Sequence, residues 1–284
     1  MFTEITGEEL YAEMIMQRTN DTRNFLVVEG DGDISVIDRY LAQEKFTVIP
    51  ANGKQTALEA LGLAFSDSFD GVYSILDRDW LELLPGELQD ERIVRTDKYD
   101  LDMSVFSLPD VYVSIASSYC VKGGYRVGGS GCSEEEIREA CIEMALPVGV
   151  LRYLSERDGL QLRMRDFPLH DVVDKNSLAV DIDLLISTAV ARSKKATATH
   201  LAIKSAFLAE RSGIAYLARY CSGHDISRAF SILAKVRWSA TISIDTVERT
   251  ARAAVSWAAF QQLSIYSDSA SQWFSGDTSM IWIE

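Results

Sequence analysis

Four short apolar runs in the first hundred residues constrain this chain more than any other feature: Phe25 to Val28, Phe46 to Ile49, Val72 to Leu76, and Ile93 with Val94. Between them lie segments of helical spacing. Ile34, Ile37, Tyr40 and Leu41 recur on one helical face behind Asp33, a candidate N-cap, and Thr56 to Phe65 forms a second helix after the Asn52–Gly53 turn. A further helix is expected ahead of the first run, from Gly7 to Arg18, with Leu10, Met14 and Ile15 on one face. Strands and helices alternating at this spacing build βαβ units, whose right-handed crossovers give a mostly parallel sheet. Ligands of such sheets bind beyond the carboxyl ends of the strands. Glu29 follows the first run and Asp77 the third.

Beyond about residue 110 the pattern changes. Ser133 to Met144, Asp181 to Val190, Thr197 to Tyr220, Ile226 to Trp238 and Ile244 to Leu263 all carry helical periodicity. The expected organisation is an α/β domain over 1–110 and a mainly helical domain over 111–284, the latter serving dimerisation, substrate or partner binding. Charge divides at the same place. Of the net charge of −14, all comes from residues 1–110, with 23 acids and 9 bases, while 111–284 holds 19 of each. Acids confined to one domain raise the question of what cation they converge on.

Three acidic groups are candidates. Glu29, in FLVVEGDGD, stands at the mouth of a buried strand; the plainer reading is a loop acid, with Asp31 and Asp33 as turn or cap residues. Asp77 and Asp79, in YSILDRDW, would point to one side if the extended backbone continued past the strand, a pairing suited to hard Mg²⁺ or Mn²⁺. Asp97, Asp100 and Asp102, in RTDKYDLDM, could add ligands, or Asp97 or Asp100 could cap a helix from Leu101 to Phe106. Asp33 and Asp102 complete the candidate metal set. Clustered carboxylates repel, so without a cation one of them must hold a proton.

The candidate substrate contacts are basic. Lys54, in the NGK turn, could reach a phosphate from the same sheet edge. Arg192, Lys194 and Lys195 open a stretch to Arg237 with nine bases against Glu210 and Asp225, which could track a nucleic-acid backbone or form a solvated or partner-binding face. Asp225 is expected to cap a helix with His224 packed beside it. The glycine-rich Lys122–Gly131 segment lacks the GK[ST] ending of a phosphate loop and reads as a mobile loop before a Ser133/Glu136 capping box.

A Glu at the end of strand one, a Gly turn, and a later apolar strand ending in Asp-x-Asp, about 48 residues on, resemble a Toprim domain over residues 22–106. With IPANGK, RTDKYDLDM and a distant CSGHDIS, the chain is similar to small stand-alone Toprim proteins such as the AriB-type effectors of two-gene PARIS anti-phage systems. The resemblance implies a Rossmann-like Toprim sheet with a C-terminal helical domain. It also implies a metal-dependent endonuclease using Mg²⁺ or Mn²⁺, with tRNA or other RNA a better substrate than DNA. Such an effector is homodimeric when active and is held inactive by an ABC-class ATPase until phage is sensed. By position, Glu29 would be metal ligand or general acid/base, and Asp77 and Asp79 the metal-holding pair. A non-catalytic acidic partner-binding module and a DNA-cleaving nuclease are the alternatives.

Other classes fit poorly. Cys120, Cys132, Cys141 and Cys221 form no CxxC pair, which argues against a zinc site. Apolar stretches fall short of the roughly 18 to 20 residues of a membrane span, and Glu4, Glu8 and Glu9 occupy the place of a basic leader region. The expectation is a cytoplasmic protein.

Overall fold

The computed structural model describes residues 5–84, 88–127, 132–214 and 217–284. The chain divides into two compact units, one formed by 1–81, 85–104 and 255–284 and the other by 82–84 and 105–254.

The first unit is an α/β structure. Helix α1 (Gly7–Arg18) starts at Thr6, whose hydroxyl accepts from Glu9 N while Glu9 accepts from Thr6 N, a reciprocal capping box. Then come β1 (Asn24–Val28), α2 (Asp31–Ile37), β2 (Phe46–Pro50), α3 (Lys54–Ser66), β3 (Val72–Leu76), β4 (Ile93–Arg95) and α4 (Leu101–Phe106). The four strands are parallel, in the order β2-β1-β3-β4. The chain therefore moves outward from β1 to β2, returns to the other side of β1 for β3, and continues outward to β4. That reversal makes the gap between the carboxyl ends of β1 and β3 the topological switch point, where a crevice opens because the connections leave in opposite directions.

A parallel sheet needs both faces covered. On one face Phe25, Val27, Ile49, Val72 and Leu76 pack with Leu10 and Met14 of α1 and with Ala57, Ala60, Leu61 and Ala64 of α3. The other face takes aromatics from the end of the chain. Tyr73 packs on Trp273 and Phe274 at ring distances of 4.8 and 5.5 Å, and Phe46 meets Phe274 edge-on at 6.0 Å. The backbone joins this closure: Ala42 N donates to Ile281 O (2.7 Å) and Ile283 N to Tyr40 O (2.8 Å). The last thirty residues thus belong with the sheet, which corrects their expected place in the helical domain. The aromatic C-terminal segment completes the core of the first unit.

The second unit holds α5 (Val111–Tyr119), α6 (Glu134–Arg157), α7 (Leu169–Val172), α8 (Ile182–Arg192), α9 (His200–Gly213), α10 (Gly223–Trp238) and α11 (Ile244–Ala254). Helix α6 begins at the expected Ser133/Glu136 box but runs thirteen residues past Met144, through Pro147. Gly149 permits this packing, because a β-carbon there would sit 1.8 Å from the Tyr220 carbonyl oxygen. Helix α10 is capped by Ser222, and Asp225, the expected cap, is buried in its first turn against Arg152. The helix expected from Ile244 to Leu263 breaks after Ala254; α12 (Trp257–Phe260), capped by Ser256, and α13 (Ser264–Phe274) belong to the first unit. Of the glycine-rich segment expected to be a mobile loop, 128–131 lie outside the described residues. Among the described residues no helix is long and apolar enough to cross a membrane.

Candidate functional site at the switch point of the sheet

The residue after β1 and the residue after β3 meet at the switch point. Glu29 Oε1 accepts the backbone N–H of Asp77 at 3.0 Å, a direct bond between the carboxyl ends of the two central strands. Glu29 is half-buried and carries an unusual protonation balance. Burial, then the charge of Asp79, push its carboxyl up to about 7, against the opposing pull of the Asp77 amide and the Lys54 ammonium. Asp77 is shifted upward as well, first by burial and then by Glu29, Asp100, Asp33 and Asp79. One of its oxygens accepts Leu101 N at 3.0 Å, so the carboxylate also caps the start of α4.

Asp77 and Asp79 do not form the parallel pair that an extended backbone would give. Asp79 has φ 47, in the left-handed region, which ends the strand geometry within three residues of Leu76. Its amide donates to Tyr99 O (2.7 Å), and its carboxylate turns to Lys54 Nζ at 2.6 Å. Lys54 also donates to the Asp77 carbonyl (3.0 Å), so its ammonium sits among the acids. It was expected to reach a phosphate; here it holds the turn after β3 to the start of α3.

The remaining acids separate by role. Asp33 is the third residue of α2, with its carboxylate accepting Gly30 N at 2.9 Å; Gly30 occupies the capping position expected for Asp33. From RTDKYDLDM, Asp100 is the acid whose charge reaches Asp77, and it also accepts Met103 N (2.6 Å) as a cap of α4. Asp102 stands in the first turn of that helix. Asp97 binds the backbone N–H of Ser264 with both oxygens (2.9 and 3.0 Å), a structural contact at the start of α13.

Two arginines at this sheet edge escaped the sequence reading. Arg95, the last residue of β4, donates to the Asp77 carbonyl (3.2 Å), and Arg78 donates to the Thr96 carbonyl (2.8 Å). Both line a polar cavity of about 490 Å³ with Asp90, Glu91, Asp268 and Gln272. Their positions at strand ends are the signal that could have found them.

The donor set suits a divalent cation in kind. Every candidate ligand is a hard oxygen, and a cation would offset both the burial and the mutual repulsion that hold Glu29 and Asp77 above their ordinary range. Among the described residues, however, no group of three or more acids, histidines or cysteines is already gathered closely enough to hold a metal ion. Asp79 would have to exchange Lys54 for the metal.

The basic stretch of the second unit is largely engaged within that unit. Arg192 donates to the Arg165 carbonyl (2.9 Å), Lys204 pairs with Asp183 (2.7 Å), Arg219 with Glu82, and Arg228 with Asp166 (2.9 Å). Lys194 and Lys195 are exposed. His224 pairs with Glu248, whose hydrogen bond raises its pKa. No family model and no curated protein matches this chain.

Proposed function

We propose that this chain is a metal-dependent Toprim endonuclease that cuts nucleic acid, RNA and above all tRNA in preference to DNA. It would act as the toxic effector of an anti-phage system, dimeric when active and restrained by an ABC-class ATPase partner. One observation carries the catalytic part: Glu29 and Asp77 end the two strands that flank the switch point and are joined through the Asp77 amide. The defence role, the partner and the choice of tRNA rest on the resemblance of FLVVEGDGD, IPANGK, ILDRD and RTDKYDLDM to that family.

The chemistry follows from the electrostatics. A carboxyl titrating at about 7 exchanges a proton readily near neutral pH, so Glu29 suits a general acid or base acting on the attacking or leaving oxygen. Asp77 and Asp79 would hold Mg²⁺ or Mn²⁺ with Glu29, and a bound cation supplies charge stabilisation at the scissile phosphate. Lys54, once displaced from Asp79, carries its positive charge at the same edge and would contact a phosphate oxygen. Asp33 and Asp100 keep the local potential negative, which favours cation entry.

The test compares purified protein with its Glu29→Gln form, each given Mg²⁺ or Mn²⁺ and then tRNA, other RNA or plasmid DNA. Cleavage of tRNA by the unsubstituted protein alone is expected. Absence of cleavage by a folded protein on all three substrates would count against free nuclease activity. The engagement of Asp79 by Lys54 favours, as the second reading, a non-catalytic acidic module that binds a partner.

A further inference from the structure

Helix α10 and the segment before α7 enclose a cavity of about 490 Å³ in the second unit, within the range of small-molecule sites. Its walls are mainly apolar, from Phe167, Pro168, Val173, Ile232, Val236 and Ile244. Phe167 is fully buried, while Val236 is 37% exposed, so the apolar wall reaches the surface without being covered.

The polar lining is unbalanced. Lys175, Arg228, Lys235 and His170 contribute basic groups, and among the described residues lining the cavity Asp166 is the one carboxylate. Asp166 is already paired with Arg228 at 2.9 Å, and Arg228 is shared with buried Asp225 at 3.5 Å. Asp166 also lies 3.4 Å from His224. Among the described residues Lys235 is held only by the Thr241 hydroxyl, at 3.1 Å. An apolar cavity with surplus positive charge at its rim is complementary to one kind of molecule.

We propose that this cavity is a binding site for a small amphiphilic anion, a molecule with an aromatic or aliphatic body and a single phosphate, sulfonate or carboxylate group. The body fills the space between Phe167, Ile232 and Val236, and the anionic group is met by Lys175 and Lys235. The site is independent of the acids at the sheet edge and of any nuclease activity.

Calorimetric titration of the full chain tests this with two probes that share one body, 1-anilinonaphthalene-8-sulfonate and the uncharged N-phenyl-1-naphthylamine. The sulfonate is expected to bind at one site, at least about tenfold more tightly than the neutral probe, as charge-assisted contacts require. Val236→Trp, which fills the cavity from an exposed position, should abolish binding. Lys175→Glu combined with Lys235→Glu alters only surface charge and should reduce sulfonate affinity to that of the neutral probe. Equal affinities for the two probes, binding at several weak sites, no binding at all, or sulfonate binding unchanged in both variants would overturn the proposal.

Discussion

Replacing Glu29 by Gln should stabilise the protein at alkaline pH and leave it unchanged in acid. The Glu29 carboxyl titrates at about 7 in the fold, against 4.5 for an unperturbed glutamate. Because the folded value is raised, the native state keeps its proton after the unfolded chain has lost it. Below about pH 4.5 both states are protonated and Glu29 costs nothing; stability then falls as pH rises, until the carboxyl ionises in the native state above about 7. That upward displacement corresponds to a penalty of about 3 kcal/mol at pH 8.5, shared with Asp77 because the two titrate together. Gln keeps an oxygen to accept the Asp77 amide but carries no charge, so it escapes that penalty. Urea unfolding from pH 4.5 to 8.5 in EDTA measures it, with a shift in midpoint of about 1 M expected at the alkaline end. Tryptophan fluorescence is a suitable probe because Trp80, Trp257, Trp273 and Trp282 all lie in the first unit. Added Mn²⁺ should stabilise the unsubstituted protein at pH 8.5 more than the variant, by binding only the folded state. A difference between the two proteins that is flat across pH, or a variant less stable at pH 8.5, would refute the electrostatic account.

Lys54→Met removes the ammonium beside Asp79 and Glu29, so the Glu29 titration should move higher still, read by carboxyl-carbon NMR, with a stability loss of about 1 to 3 kcal/mol at pH 8 from the abandoned acids. Trp282→Ala should cost about 3 to 5 kcal/mol in urea unfolding, because Trp282 is 3% exposed and its indole N–H is bonded to Ser269 at 2.9 Å. Gly149→Ala should lower stability by about 3 kcal/mol or more, since its β-carbon meets backbone that cannot rotate away. Glu248→Gln should lower the His224 titration followed by its ring-proton NMR signal, because Glu248 is the main cause of the upward shift; His224 therefore stabilises the fold at low pH and loses that contribution as pH rises through its folded pKa.

The strands were legible because burial on both faces of a parallel sheet demands continuous apolar runs: Val72–Leu76 is read correctly to the residue, and Phe25–Val28 and Phe46–Ile49 each miss one. Glu29 and Asp77 were legible for the same reason, as the first polar residues after such runs. What failed depends on contacts distant in sequence. Asp79 was assigned to the face of Asp77 by strand periodicity, but the backbone turns left-handed there, held by the Tyr99 carbonyl and Lys54. Asp97 was grouped with the site because it neighbours Asp100, whereas its partner, Ser264, is 167 residues away. The helical periodicity that ran from Ile244 to Leu263 concealed a break, since Ser256 restarts a helix on a new axis with its own cap.

That break governs how the site is built. The switch point lies between β1 and β3, so its geometry depends on both strands keeping their parallel register, Phe25 to Val72 through Val28 to Ile75. Helices α1 and α3 cover only one face of those strands. The other is closed by Trp273 and Phe274, beyond the end of α11 at Ala254, and the same segment fixes the loop after α2 through Ala42 and Tyr40. A loss of aromatic packing there should be felt at Glu29, although no residue of the C-terminal segment touches it by a described hydrogen bond. Trp282→Ala, at a temperature where the variant remains folded, should therefore broaden the titration of Glu29 while leaving that of His224 unchanged. Carboxyl and imidazole NMR in one sample read both. Equal disturbance of the two groups would mean that the C-terminal segment acts through general destabilisation and not through the sheet.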